Sequence, residues 1–297
     1  MVKSKSPGRR IFEVCDYVIL GVAAVLCVLP LINVLAMSFS ANYAVASNMV
    51  TFWPVQFTTA SYEWTLRHPE FLTSFLVTLE RVVIGVPINI ILTILVAYPL
   101  SKESDVFRHR KYFVGYFFIT MLFSGGLIPT FLVVRNTHIM DTVWALILPG
   151  AVSVWNAVIM LNFFRGLPKE LEEAAFIDGA GQWKTLFMVY LPLSMPSVAT
   201  ITLFCIVGHW NSWFDGLIYM NLPQHYPLQS YLQTVVVNFD PMSIKNMTSD
   251  QLTMLGKINN KTTQTAQLFL ASIPVLLVYP FLQRYFMTGL TLGSVKG

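Results

Sequence analysis

Charge is the first thing this chain lacks. Only 11% of its 297 residues are Asp, Glu, Lys or Arg, against 55% that are hydrophobic. A soluble domain carries about 25% charged residues. So few charges cannot cover a surface that meets water, and lipid is the solvent this composition fits. The net charge of +4 is too small and too dispersed for a nucleic-acid-binding face. Cysteine is scarce too. Cys15, Cys27 and Cys205 lie in or beside apolar runs, at spacings that fit neither a metal site nor a disulfide framework, and are read as small buried side chains. A G-x-x-x-x-G-K-[ST] phosphate loop is missing, so no nucleotide chemistry is expected of this chain. A membrane-embedded enzyme would need a nucleophile–base set or metal ligands, and no compact set stands out. His68, His109, His138 and His225 are isolated in loops or near the ends of apolar runs.

What the chain has is long apolar runs. A helix crossing a bilayer needs roughly 20 mostly apolar residues. Six segments qualify: about 17–39, 71–100, 112–134, 143–164, 195–219 and 265–287. The runs are continuous rather than alternating, which argues against strands of a barrel. Lys3, Lys5, Arg9 and Arg10 precede the first run. That run exceeds the 7–15 apolar residues of a signal-peptide core, so it reads as an uncleaved helix. The expectation is an all-α integral membrane protein. It comprises an N-terminal segment 1–16, a six-span domain 17–290, a tail 291–297, outer loops 40–70 and 220–264, and an inner loop 165–194.

Lys and Arg set the orientation of such a chain. With the N-terminus inside, thirteen fall on inner segments and five on outer loops (Arg67, Arg135, Lys245, Lys257 and Lys261), with Arg81 inside the second span. Both ends are therefore expected in the cytoplasm. Asn246-Met247-Thr248 and Asn260-Lys261-Thr262 in the second outer loop resemble glycosylation triplets and are read as chance.

The inner loop carries "PKELEEAAFIDGAGQWKTLFMVYLPLSMP", Pro168–Pro196. Pro168 suits a helix start. Glu170, Glu172 and Glu173 place negative charge where the helix dipole favours it. Leu171, Ala174, Ala175 and Ile177 give a compact apolar face, and Gly179 is a natural stop. A second short helix is expected over about Gln182–Tyr190. Two readings stand open here, a helix that docks on a protein partner and one that rests on lipid headgroups. The acidic first turn weighs against the second, because the inner leaflet is itself negative.

A second polar cluster, "GHWNSWFDG" (Gly208–Gly216), puts His209, Trp210, Asn211, Trp213 and Asp215 within one or two turns of the fifth run. Polar residues inside a membrane helix face the bundle or a wet cavity, which makes these candidates for a transport path. Trp210 and Trp213 could equally form an interfacial belt. Trp155 and Asn156 are further candidates, with core packing as their alternative. Glu80 and Arg81 project about 100° apart, so rather than pairing with each other they either bond to other spans in a structural network, the favoured reading, or line the cavity. A transporter driven by protons or sodium would rely on Glu80 and Asp215, and the inner-loop helix would then have no purpose.

Glu173-Ala174-Ala175, three residues, Gly179, nine residues, then Val189-Tyr190-Leu191-Pro192 resembles the EAA motif of ABC importer permeases, with Val189 where the pattern has Ile. "AYPLSK" (Ala97–Lys102), "FSGGLIPTFLVV" (Phe123–Val134), "DTVWALILPGAVSVWN" (Asp141–Asn156) and "MTGLTLGSVKG" (Met287–Gly297) are similar to the carbohydrate-uptake, MalG-like branch. Within that branch they look most like the LplC- and YtcP-like subgroup that serves complex-polysaccharide fragments. The resemblance implies a six-helix type I importer domain in a bacterial cytoplasmic membrane, carrying oligosaccharides inward. It also implies a second homologous permease subunit, two cytoplasmic ATPase subunits that bind ATP and Mg, and an extracytoplasmic solute-binding protein. No cofactor is implied for this chain. Glu173, Ala174, Ala175 and Gly179 would form the helix that couples to the ATPase, with Leu171, Phe176, Ile177 and Asp178 beside them. The Trp210–Trp213 segment is similar to one that lines the transport path in this branch, and loop 220–264 would face the binding protein.

Overall fold

The computed structural model describes residues 7–237 and 260–293, and no strand occurs among them. The Asn246-Met247-Thr248 triplet, Lys3, Lys5, Lys245, Lys257, Lys296 and much of the outer loop 220–264 lie outside the described residues. The chain divides into two compact units, Met1–Pro69 with Thr234–Ser272, and Glu70–Gln233 with Ile273–Gly297.

The first unit is led by α1 (Pro7–Ser38). Its Ile11–Ser38 stretch is long and apolar enough to span a bilayer. From Ile11 to Val28 the side chains are exposed, which leaves them for lipid. Cys15 and Cys27 share that exposure and are not buried as expected, because α1 presents them outward rather than to a core. The segment after α1 packs against the helix end. Ala36, Ala44, Val45 and Val50 form a small core with α2 (Asn42–Ala46). The Ser40 hydroxyl donates to Ala36 O and accepts from Val55 N, and Phe39 stacks on Phe57 and Tyr62. Tyr62 lies on α3 (Ala60–Arg67).

In the second unit, α4 (Pro69–Ser101) shows why these residues need lipid. Its buried stripe is small and polar, running Ser74, Thr78, Arg81, Gly85, Asn89, Thr93 and Ala97 at helical spacing. Its opposite face, including Leu72, Leu76, Val83 and Ile91, is apolar and exposed. Water would select the reverse arrangement. The main core joins α4 to α8 (Val154–Arg165), to the segment 186–190 and to α12 (Met195–Asn211). It is built on Tyr98, Met160, Phe164, Leu186, Tyr190, Ile201 and the third cysteine, Cys205.

Three of the six expected spans are broken. The run 112–134 divides into α5 (Arg110–Leu122) and α6 (Leu127–Asn136), bent by 112°. Gly125-Gly126 lies at the break, and Gly126 takes φ +89, a conformation that favours glycine. The run 143–164 divides into α7 (Val143–Ile147), extended by a tight turn Leu148–Gly150, and α8, with a 51° bend. There the Ser153 hydroxyl caps α8 by accepting from Asn156 N. The second inner-loop helix is longer than expected. It starts as α10 (Gln182–Thr185), passes through a wide turn at Leu186–Tyr190 and ends as α11 (Leu191–Leu193), which meets α12 at 81° across Ser194. The fifth run is broken again at Ser212-Trp213, before α13 (Phe214–Tyr219).

The expected loop 220–264 holds a helix of its own, α14 (Leu228–Val237). Leu228 and Leu232, one turn apart, are buried, and Leu228 N donates to the Thr78 hydroxyl of α4. Loop polarity concealed this short amphipathic element. The sixth span belongs to α15 (Asn260–Gly293).

Candidate functional site

The inner-loop helix is α9 (Lys169–Ile177). Pro168 stands one position before it, with Glu170 and Glu172 in its first turn. It ends on Asp178, next to Gly179 at φ +77. Gly179 N donates to Phe176 O and Ala180 N to Ala175 O, the paired bonds of a Schellman stop. None of its side chains is buried, and Ile177 is 86% exposed. Leu171, Glu173, Ala174, Phe176 and Asp178 are exposed with it, while Ala175 is half-buried. The helix thus leaves the apolar side chains of Leu171, Phe176 and Ile177 uncovered.

Among the described residues, two side-chain ties hold α9. One is an exposed pair between Lys169 and Glu103, both more than half accessible, and such surface pairs contribute little. The other runs through Glu172. One Glu172 oxygen accepts from Lys102 Nζ at 2.6 Å, and the other accepts from the Tyr190 hydroxyl. Lys102 is buried, and burial pulls its ammonium below the usual pKa while Glu172 acts in the opposite direction.

Within the second unit lies a cleft of about 520 Å³, lined among others by Arg81, Asn89, Asn156, His209, Ser212 and Asp215. Arg81 organises it. Its guanidinium clasps Asp215 through Nη1 (3.2 Å) and Nη2, donates from Nη2 to Leu146 O (3.1 Å), and donates from Nε to His209 Nδ1 (3.1 Å). A nitrogen that accepts from a guanidinium carries no proton. His209 is therefore the Nε2–H tautomer, donating to Asn89 Oδ1 at 2.6 Å. Asn89 Nδ2 in turn donates to Gly150 O and Ala151 O, across the break between α7 and α8. Asp215 also accepts from the Ser212 hydroxyl and from Gly216 N. Gly85 makes room for the ring, because a Cβ there would lie 2.6 Å from His209 Nε2. The buried charges are thus matched. The cleft wall presents hydroxyl, amide and carbonyl groups rather than a bare ion.

Of the path candidates, the cleft gathers Asn156, His209 and Asp215. Trp155 points outward, 60% exposed. Trp210 is buried against Phe75 in an edge-to-face contact. Asn211 is exposed, and Trp213, 41% exposed, lies beside Phe214. These four do not line the cleft. Successive helical residues turn by about 100°, and the break at Ser212-Trp213 redirects the chain beyond it. Glu80 is exposed, while its neighbour Arg81 enters the network foreseen for it. Asn89, Lys102, Tyr98, Glu172 and Tyr190 were not singled out as site residues. The polar stripe along α4 was the signal that could have pointed to Asn89.

A polar cleft inside a lipid-solvated helical bundle, with an exposed helix clamped to the same bundle, defines a transport permease subunit. The chain belongs to the family of binding-protein-dependent transport system inner membrane components, whose profile matches residues 3–292. It is 37% identical to protein LplC of Bacillus subtilis (strain 168) over 288 residues, 97% of this chain and 96% of that one. It is 38% identical over 292 residues to the polygalacturonan/rhamnogalacturonan transport system permease protein YtcP of the same organism, covering 97% of this chain and 99% of that protein. Among solved structures, it matches a bacterial ABC transporter involved in the import of the acidic polysaccharide alginate. That match has a TM-score of 0.86 and 32% identity, and covers 96% of this chain and all of that one. An alginate ABC transporter in complex with an alginate pentasaccharide-bound periplasmic protein shares the fold at a TM-score of 0.53 and 14% identity, over 92% and 93% of the two chains. The chain is a multi-pass permease subunit of an ABC importer with the type I fold, and not itself an enzyme.

Proposed function

We propose that this subunit passes oligosaccharides, the breakdown products of complex polysaccharides, inward through the Arg81–Asn89–His209 cleft by alternating access. Two observations support the substrate class. The cleft wall is polar with its buried charges paired, which suits a hydroxyl-rich solute. Its relatives are described as serving polygalacturonan, rhamnogalacturonan and alginate transport. The subunit works beside a second homologous permease, two ATPase chains that bind ATP and Mg, and an extracytoplasmic solute-binding protein. It crosses the membrane six times over 17–290, with both termini cytoplasmic, in keeping with the distribution of Lys and Arg. α9 is the element that enters the ATPase.

The single observation that carries the coupling role is α9 itself, with no buried side chain and a Schellman stop at Gly179. Gly179→Trp or Glu173→Lys is expected to abolish ATP-driven uptake while the protein stays in the membrane. Uptake by the reconstituted importer, together with co-purification of the ATPase chains, measures this. If both were unchanged, the coupling role of α9 would fall.

A further inference from the structure

The Lys102 ammonium lies 4.1 Å from the centroid of the Tyr98 ring and 4.2 Å from that of Tyr190, in cation–π range of both. The same nitrogen is 2.6 Å from Glu172 of α9. Further contacts fix the members of the cage. Tyr190 donates to Glu172, the Tyr98 hydroxyl donates to Gln182 Oε1 at 2.8 Å, and Tyr98, Tyr190 and Phe164 meet edge to face with centroids 5.1–6.1 Å apart. Lys102 comes directly after α4. The cage therefore bolts α9 to the end of the helix that carries Asn89, about 13 residues and roughly 20 Å away at 1.5 Å per residue, and Arg81, about 21 residues and roughly 30 Å away. Apart from Glu172 and the half-buried Ala175, the side chains of α9 are exposed, and its other tie is the exposed Lys169–Glu103 pair, so a push on α9 is borne chiefly by this joint.

We propose that the Lys102 cage is the mechanical tie that delivers movement of α9 to α4 and so to the cleft wall. Resting on the coupling role assigned to α9, this makes Lys102 a positioning residue for transmission and not for docking. A salt bridge alone could slip or solvate. A cation between two aromatic faces, buried and anchored to a carboxylate, keeps its orientation as the helix moves.

Cys205, a buried thiol in the cleft wall, reports on transmission without any solute. The importer is assembled with its partner permease and ATPase chains, and Cys15 and Cys27 are replaced by Ser. Alkylation of Cys205 by N-ethylmaleimide is then followed with and without ATP, Mg and vanadate. In the unaltered chain, trapping nucleotide is expected to change the alkylation rate by about tenfold, within the usual span of allosteric coupling. Lys102→Met is expected to trap the same amount of nucleotide and to lose that change. Tyr190→Leu should behave alike, and Lys102→Arg, which keeps the cation, should restore the response. The proposal is overturned if Lys102→Met keeps the nucleotide-dependent change, if it abolishes trapping, or if the unaltered chain shows no change at all. Gly179→Trp separates the two levels. If it disrupts assembly with the ATPase while Lys102→Met responds normally, only the tie fails. If Gly179→Trp too leaves trapping and response intact, the coupling role of α9 fails with it.

Discussion

Arg81 is a buried cation that would be intolerable alone, and Asp215 makes it tolerable. Taking two charges out of water costs more than their attraction returns unless further hydrogen bonds complete the pair. Here Leu146 O, His209 and Ser212 do so. The resulting asymmetry is testable. Asp215→Asn leaves the guanidinium without its counter-charge and should cost about 3–5 kcal/mol. Replacing Arg81 with Met and Asp215 with Leu together should cost less than that single change. Thermal unfolding of the purified subunit in detergent measures both, and a double variant that loses clearly more than Asp215→Asn alone would show that the charges are not coupled. The sequence placed Arg81 in a span but named no partner, because Asp215 lies 134 positions away.

At the scale of elements, the breaks matter as much as the helices. α5 and α6, and α7 and α8, are pairs that apolarity alone presents as continuous, whereas the break before α12 falls where the fifth run was expected to begin. A break frees backbone groups that lipid cannot satisfy, and at the α7–α8 break Asn89 donates to two of them, Gly150 O and Ala151 O. The clues are local, at Gly125-Gly126, Pro149-Gly150 and Ser194. Gly126 isolates the backbone contribution cleanly, since a Cβ there would meet nothing within 4 Å while φ stays at +89. Gly126→Ala should therefore destabilise by about 1 kcal/mol through strain alone. A drop in melting temperature with unchanged ATPase co-purification would match, whereas no drop would show that the turn relaxes freely. At α9 the stop was legible in full, because Gly179 and the flanking pattern are short-range chemistry.

The whole molecule is organised by its solvent. α1 exposes apolar side chains around its circumference, and α4 buries its polar ones. Val25 is exposed and sits near the middle of the spanning stretch Ile11–Ser38 of α1. Arg in its place should cost about 2.5–3.5 kcal/mol at the centre of a spanning helix. The expected outcome is a marked fall in the membrane-inserted fraction, read by membrane fractionation and alkaline extraction. Full insertion would remove α1 from the lipid-facing set.

Composition determined by itself that this chain lives in lipid, because 11% charged residues cannot cover a water-facing surface. Pro168, the acidic first turn and Gly179 determined where α9 begins and ends. Both are properties of neighbouring residues and their solvent. Only the tertiary structure decided that His209 and Asp215 face the cleft while Trp210 and Trp213 do not, and that Glu172 rather than Glu173 anchors α9. Those outcomes depend on how helices distant in sequence are bent and packed, which periodicity within one helix does not encode.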